Sequence, residues 1–180
     1  MNSSTSPSGN DSLSLANGAF QVYNESLSDL LSEVLSGFLN YPRLYCFAQD
    51  WRGNQFFILN KLTQNDPETI VYGYDPARGL TDDLMPYGAL LLKIKDASIL
   101  NGCALEEFAF WLKQSNLSSL DVGKCITPRV FLFPGGSEDD VDTEPRSSIA
   151  YVISSLKMKV RLNESGLKDG DVITKKFFNE

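Results

Sequence analysis

The chain has 180 residues, a formal net charge of −7 (16 Lys and Arg against 23 Asp and Glu), and no histidine. That length is enough for one full hydrophobic core, and the charge argues against nucleic acid or an anionic membrane as a partner. Without histidine, the commonest general base near neutral pH and the usual partner of a nucleophilic cysteine are both missing.

Residues 1–19 are rich in Ser, Asn and Gly and carry too little apolar area to offset chain entropy, so a disordered polar leader is expected there, with one domain at 20–180. The leader lacks the basic and apolar regions of a signal peptide. No apolar run reaches the roughly 18 residues of a transmembrane span, and a cytoplasmic protein is the expectation. The first regular element is a helix at 26–39, with Leu27, Leu30, Leu31, Val34, Leu35 and Phe38 on one buried face. Ser26 and Asp29 serve its N-terminus, and Asn40-Tyr41-Pro42 ends it.

Strands are expected at 43–49, 55–61 and 69–74. The first two meet at a hairpin turn through Asp50-Trp51-Arg52-Gly53-Asn54, and alternation puts Tyr45 and Phe47 on one sheet face. Phe56 reads as core. Trp51 reads either as a plug over the sheet edge or as an exposed contact anchor. Asp75-Pro76-Ala77-Arg78-Gly79 closes the third strand with a proline turn. Residues 80–87 read as an acidic connection, and Leu90–Ile94 fits a strand or a helix.

A second helix is expected at 104–115, buried through Leu105, Phe108, Ala109 and Leu112, with Phe110 and Trp111 widening the arc. Glu106 and Glu107 suit its first turn. Residues 129–133 read as a buried strand ending at Pro134-Gly135-Gly136. Residues 147–160 fit a strand or a helix, with the helix favoured, and a short strand is expected near Val172-Ile173. Cys46, Cys103 and Cys125 read as reduced, mostly buried thiols, because three dispersed cysteines form neither a disulfide framework nor a zinc site.

Glu138, Asp139, Asp140, Asp142 and Glu144 crowd one loop. Its spacing is not that of an EF-hand, so it reads as a solvated loop or as an acidic docking patch. For a hydrolase built on paired carboxylates, Asp50 and Asp75 are candidates only if the fold brings them into one cleft; otherwise both cap turns.

Three segments carry a resemblance. Tyr45 to Phe56 and Val71 to Gly79 look like the central hairpin region of bacterial toxin-immunity proteins in or near the SUKH superfamily, which includes regulators of fungal cell-wall synthesis. Gly123 to Gly136 resembles the later segment of the same family, where a proline precedes an apolar strand ending in paired glycines. After the glycines the family pattern has an asparagine and then an acidic Tyr-Trp strand, where this chain has Asp142-Thr143-Glu144 and Ile149-Ala150-Tyr151-Val152. The resemblance implies an α+β fold, a mostly antiparallel curved sheet with helices packed on it, and neutralisation of a toxin by binding. It also implies that Asp50, Trp51, Gly53 and Phe56 shape the hairpin, and that Pro134, Gly135 and Gly136 form a turn near the binding side.

The function expected is therefore a non-catalytic, stoichiometric protein-binding module without a cofactor, facing a basic surface of a toxin. Asp50, Trp51, Arg52, Glu138, Asp139, Asp140, Asp142 and Glu144 are the contact candidates. A structural or regulatory adaptor for a host protein is the alternative, and a carboxylate-dependent hydrolase is the third reading.

Overall fold

The structure, a computed structural model, describes residues 11–166. Its centre is a curved, fully antiparallel sheet of six strands whose spatial order is their chain order. The strands are β1 (Leu13–Leu15), β2 (Phe20–Val22), β3 (Tyr45–Asp50), β4 (Gln55–Ile58), β5 (Ile70–Asp75) and β6 (Leu80–Pro86). Four helices pack on it: α1 (Glu25–Leu39), α2 (Tyr87–Lys95), α3 (Leu105–Gln114) and α4 (Ser148–Ser165). A two-residue pair, β7 (Lys124–Cys125) with β8 (Arg146–Ser147), ties the last loop to the start of α4. The expected α+β architecture is the one observed. The strand expected near Val172-Ile173 lies outside the described residues.

Two apolar cores lie on opposite faces of the sheet. On one, Leu31 and Leu35 of α1 and Val152 and Leu156 of α4 meet Phe57 and Tyr74 of the sheet. On the other, Phe108, Trp111 and Leu112 of α3 and Leu90 of α2 meet Phe47, Ile58 and Val71. The alternation of β4 explains the division, since Phe57 faces one core and its neighbour Ile58 the other. α1 and α3, the two helices expected from periodicity, thus cover different faces of the sheet. Tyr45 and Phe47 do share a face, stacked with ring centroids 6.1 Å apart.

Several local expectations are corrected. Within the expected leader, Leu13–Leu15 pairs with β2 and forms the sheet edge. In α1 the cap is Asn24, whose Oδ1 accepts the Leu27 N–H at 3.0 Å, and the buried stripe is Ser28, Leu31, Ser32 and Leu35. Leu30 and Phe38 are exposed. The serines turn the helix: Ser28 Oγ donates to the Cys46 carbonyl, and the Cys46 N–H donates to Ser32 Oγ at 2.8 Å. Two small hydroxyls bring α1 close to β3 and supply partners for Cys46 beyond the end of β2. In α3, Leu105, Ala109 and Phe110 are exposed, leaving Phe108, Trp111 and Leu112 as the stripe. Phe56 is only half-buried, edge-on to Phe20.

Residues 80–87 are not a connection. The turn after Asp75 reverses the chain directly, so Leu80 to Pro86 pair with β5 as the opposite edge, where Asp82 and Asp83 remain in water. The ambiguous Leu90–Ile94 lies in α2, and 147–160 lies in α4. Residues 129–133 are not a strand: they join no sheet and their backbone bends and turns. Their amides go elsewhere: Arg129 N–H to Asp140 O at 2.9 Å, and Leu132 N–H to Ala77 O at 2.8 Å.

A polar ladder crosses the sheet beneath this loop. Gln21, Gln49 and Gln55 on β2, β3 and β4 are fully buried. Gln49 Nε2 donates to Gln21 Oε1 and to Lys124 O, both at 2.8 Å, and Gln55 Nε2 donates to Gly53 O at 2.7 Å. Gln21 Oε1 also accepts the Gly123 N–H at 2.9 Å. Buried amides have to be paired, and here the pairing fixes residues 121–124, from which one wall of the site departs.

Candidate functional site

The β3–β4 hairpin sets the first wall. Asp50 is buried beneath its turn, with Oδ1 accepting the N–H groups of Arg52 at 2.9 Å and Asn54 at 3.0 Å, and Oδ2 accepting Asn54 Nδ2 at 2.8 Å. Burial outweighs these bonds and pushes its carboxyl up to about 6. Gly53 has φ +83°, and a Cβ there would come within 3.1 Å of Tyr151 and 3.0 Å of Cys125 Sγ, so only glycine lets the turn press onto the core. Trp51 is buried and its Nε1–H donates to the Cys103 carbonyl; it is the plug and not an exposed anchor. Arg52 lies over the Trp51 ring at 4.6 Å and pairs with Glu107 of α3.

The β5–β6 turn forms a second wall. Asp75 caps it, accepting the Arg78 N–H at 3.0 Å. The Arg78 guanidinium holds Asp75 Oδ2 at 2.8 Å and reaches across to Glu138. The third wall is the outer face of α3, with Glu106, Glu107 and the exposed ring of Phe110. The fourth is the segment from Ile126 to Thr143, anchored where the Ile126 N–H donates to Trp51 O at 2.8 Å and Trp111 Nε1–H donates to Asp142 O at 2.9 Å. Gly136 allows its tight return, since a Cβ there would stand 2.0 Å from the Val130 carbonyl oxygen.

Together the walls enclose an open groove of ≈ 840 Å³. Six carboxylates line it: Asp75, Glu106, Glu107, Glu138, Asp139 and Asp142. The cationic lining groups are Arg52 and Arg78, both engaged in ion pairs, whereas Glu106 and Asp139 have no ion-pair partner among the described residues. The groove thus carries a net negative charge with one large aromatic surface.

The fold gathers Trp51, Arg52, Glu138, Asp139 and Asp142 of the expected contact residues into this groove. It leaves out Asp50, which is buried, and Asp140 and Glu144, which face elsewhere. The loop is less free than its charge suggests: Arg129 Nε lies 3.3 Å from Asp140, and Arg146 Nη2 lies 2.5 Å from Asp142. Arg78, Glu106, Glu107 and Phe110 were missed as site residues, and Asp75 was named only for the hydrolase reading, because each had a sufficient local explanation as a turn or helix residue. Only Phe110 carried a signal, since the stripe through Phe108, Trp111 and Leu112 leaves it on the far side of the helix.

The hydrolase pair does not form in the groove: Asp75 lines it and Asp50 does not. Both acids cap turns. Cys46, Cys103 and Cys125 are buried free thiols. Burial pushes Cys103 and Cys125 up to about 12 and Cys46 higher still. No cluster of three or more His, Cys, Asp or Glu that could hold a metal exists among the described residues, and no helix among them is long and apolar enough to cross a membrane.

No family model matches the chain, and no curated protein matches it. Among solved structures the chain is similar to the crystal structure of Atu4351 from Agrobacterium tumefaciens. The TM-score is 0.51 at 16% identity, over 79% of this chain and 68% of that one. At that identity the likeness speaks to the fold alone.

Proposed function

We propose that the chain is a non-catalytic protein-binding module whose acidic groove receives a cationic surface of its partner, and that the partner is a toxin it neutralises. The observation that carries this reading is the groove itself, with six carboxylates, two paired arginines and the exposed Phe110. Desolvated aromatic anchors and complementary charge are what protein interfaces use for affinity and for fast encounter. The three segments that resemble SUKH-type immunity proteins support the finer reading, because they converge there. The hairpin brings Trp51 and Arg52, the β5 turn brings Asp75 and Arg78, and the later segment brings Ile126, Pro128 and Leu132.

Binding without turnover is part of the proposal. Four of the six lining carboxylates are held by arginines, and the carboxyl raised by burial lies under the hairpin instead of in the groove. A host-protein adaptor would use the same surface and differs only in its partner. Co-expression with the protein encoded beside this chain separates the readings. An immunity protein restores growth of cells making that toxin, and the variant Glu106→Gln/Phe110→Ala/Glu138→Gln/Asp139→Asn, folded as shown by its melt, loses the protection. Protection that survives all four substitutions removes the groove from the account. A neighbouring protein that is harmless on its own favours the adaptor.

A further inference from the structure

The β6 edge, on the far side of the sheet from β1, is a second surface that the groove does not use. For Leu80 to Leu84, no backbone hydrogen bond to a described residue outside β5 is present. Four features would ordinarily discourage such an edge from self-pairing, namely short length, lysine, proline or a bulge. β6 is seven residues long, has no lysine, and reaches proline only at its last residue. It does have a bulge, with Leu84 skipped between Asp83 and Met85 in the register with β5. Its blunting charge is the pair Asp82 and Asp83. Two copies pairing through β6 would bring four carboxylates together, and like charges across strands are destabilising. The same charge leaves the edge open to a cationic strand.

Beside this edge, on the α1 side of the sheet, lies a depression of ≈ 460 Å³. It is lined by Leu39, Tyr41, Leu59, Tyr72, Thr81, Asp82 and Asp83. The register pairs Asp83 with Tyr72 and so puts the Asp83 side chain on this face, whereas Asp82, paired with Gly73, alternates to the other. Leucine and tyrosine side chains beside the Asp83 carboxylate match a lysine or arginine side chain, whose aliphatic stem packs on apolar surface while its charged head stays in water. Tyr41 and Tyr72 add ring faces for the cation. We propose that β6 pairs with an extended strand of a partner protein, and that this strand places a lysine or arginine over the depression with its head at Asp83, while Asp82 adds to the negative charge along the edge. Backbone pairing supplies affinity, and the pocket supplies the preference for a basic side chain.

The test uses the full chain and a short labelled peptide alternating lysine with threonine, with its glutamate-for-lysine counterpart as control. Binding is followed by fluorescence polarisation, and amide hydrogen exchange locates it. The expected result is slowed exchange across 80–86 with the lysine peptide and none with the glutamate peptide. Asp82→Lys/Asp83→Lys should weaken the lysine peptide at least about tenfold. Asp82→Asn/Asp83→Asn, which removes charge without adding bulk, should weaken it in the same direction and guards against a folding defect in the first variant. Unchanged affinity in both variants overturns the proposal, as does protection confined to residues 106–114 and 126–143. Two further outcomes replace the partner with another occupant and so overturn it. In one, the 80–86 amides are slow in the full chain and become fast when it is truncated after Gly166. In the other, the protein sediments as a dimer that the charge-reversed variant breaks.

Discussion

Asp50 shows how a residue that looks functional in the sequence and by its raised carboxyl has a structural cause for both. It sits in the turn that carries the family resemblance and its carboxyl is raised, yet the cause is burial under a turn that it caps. The raised value has a thermodynamic consequence. In the folded protein Asp50 holds its proton up to about pH 6, against 3.8 for the free group, so the folded state binds more protons between those values. Its contribution to stability is fully present below about pH 3.8 and is lost as pH rises through about 6; at 1.36 kcal/mol per unit that is about 3 kcal/mol. Asp50→Asn should abolish this part of the slope in urea melts between about pH 4 and pH 7. Below about pH 4, where the parent bears no cost for an ionised carboxylate, it should lower stability, because its amide would face Asn54 Nδ2. A variant whose slope matches the parent would show that Asp50 is ionised in the folded protein throughout this range. Tyr151 tests burial from the other side. Its hydroxyl is buried without a hydrogen-bond partner among the described residues, so Tyr151→Phe should leave the melting midpoint unchanged or raise it. A loss above about 1 kcal/mol would reveal a bond that the hydroxyl makes.

At the scale of elements, periodicity located α1, α3 and the strands of the sheet's centre but not the rotation of the helices. α1 has leucines all along its length, so the stripe through Leu30 and Phe38 was as regular as the true one. Ser28 and Ser32 decide between them by bonding Cys46, and a pattern that counts apolar residues cannot see a serine that belongs inside. Leu31→Ala should therefore cost about 2–5 kcal/mol, and Leu30→Ala less than about 1 kcal/mol, measured as the difference in urea-unfolding free energy. Equal losses would show that α1 is rotated from its observed position. β6 was missed for a related reason: at an edge, Asp82 and Asp83 can sit in a strand without being buried, so the period-two signal disappears. The strand expected at 129–133 failed in the opposite direction. Its apolar side chains cover α4 and each other, with Phe131 stacked on both Phe133 and Tyr151 at 5.4 Å, in backbone that turns instead of pairing.

At the scale of the whole molecule, the fold class was legible because it depends on which segments are helical and which are extended. The groove was not, because it exists only where four distant segments meet. Sequence reasoning named Arg52, Glu138, Asp139 and Asp142 from two of those segments and had no means of knowing that α3 and the β5 turn would stand opposite them. The central claim is that this convergence is a binding surface for a cationic partner. Its most direct test is the association rate with the partner recovered in the co-expression assay, measured by stopped flow across ionic strength for the parent chain and for Glu106→Gln/Glu138→Gln/Asp139→Asn. The account predicts association slowed about tenfold at low salt, with the two rates converging as salt screens the groove. Equal rates and equal salt slopes in the two proteins would contradict it.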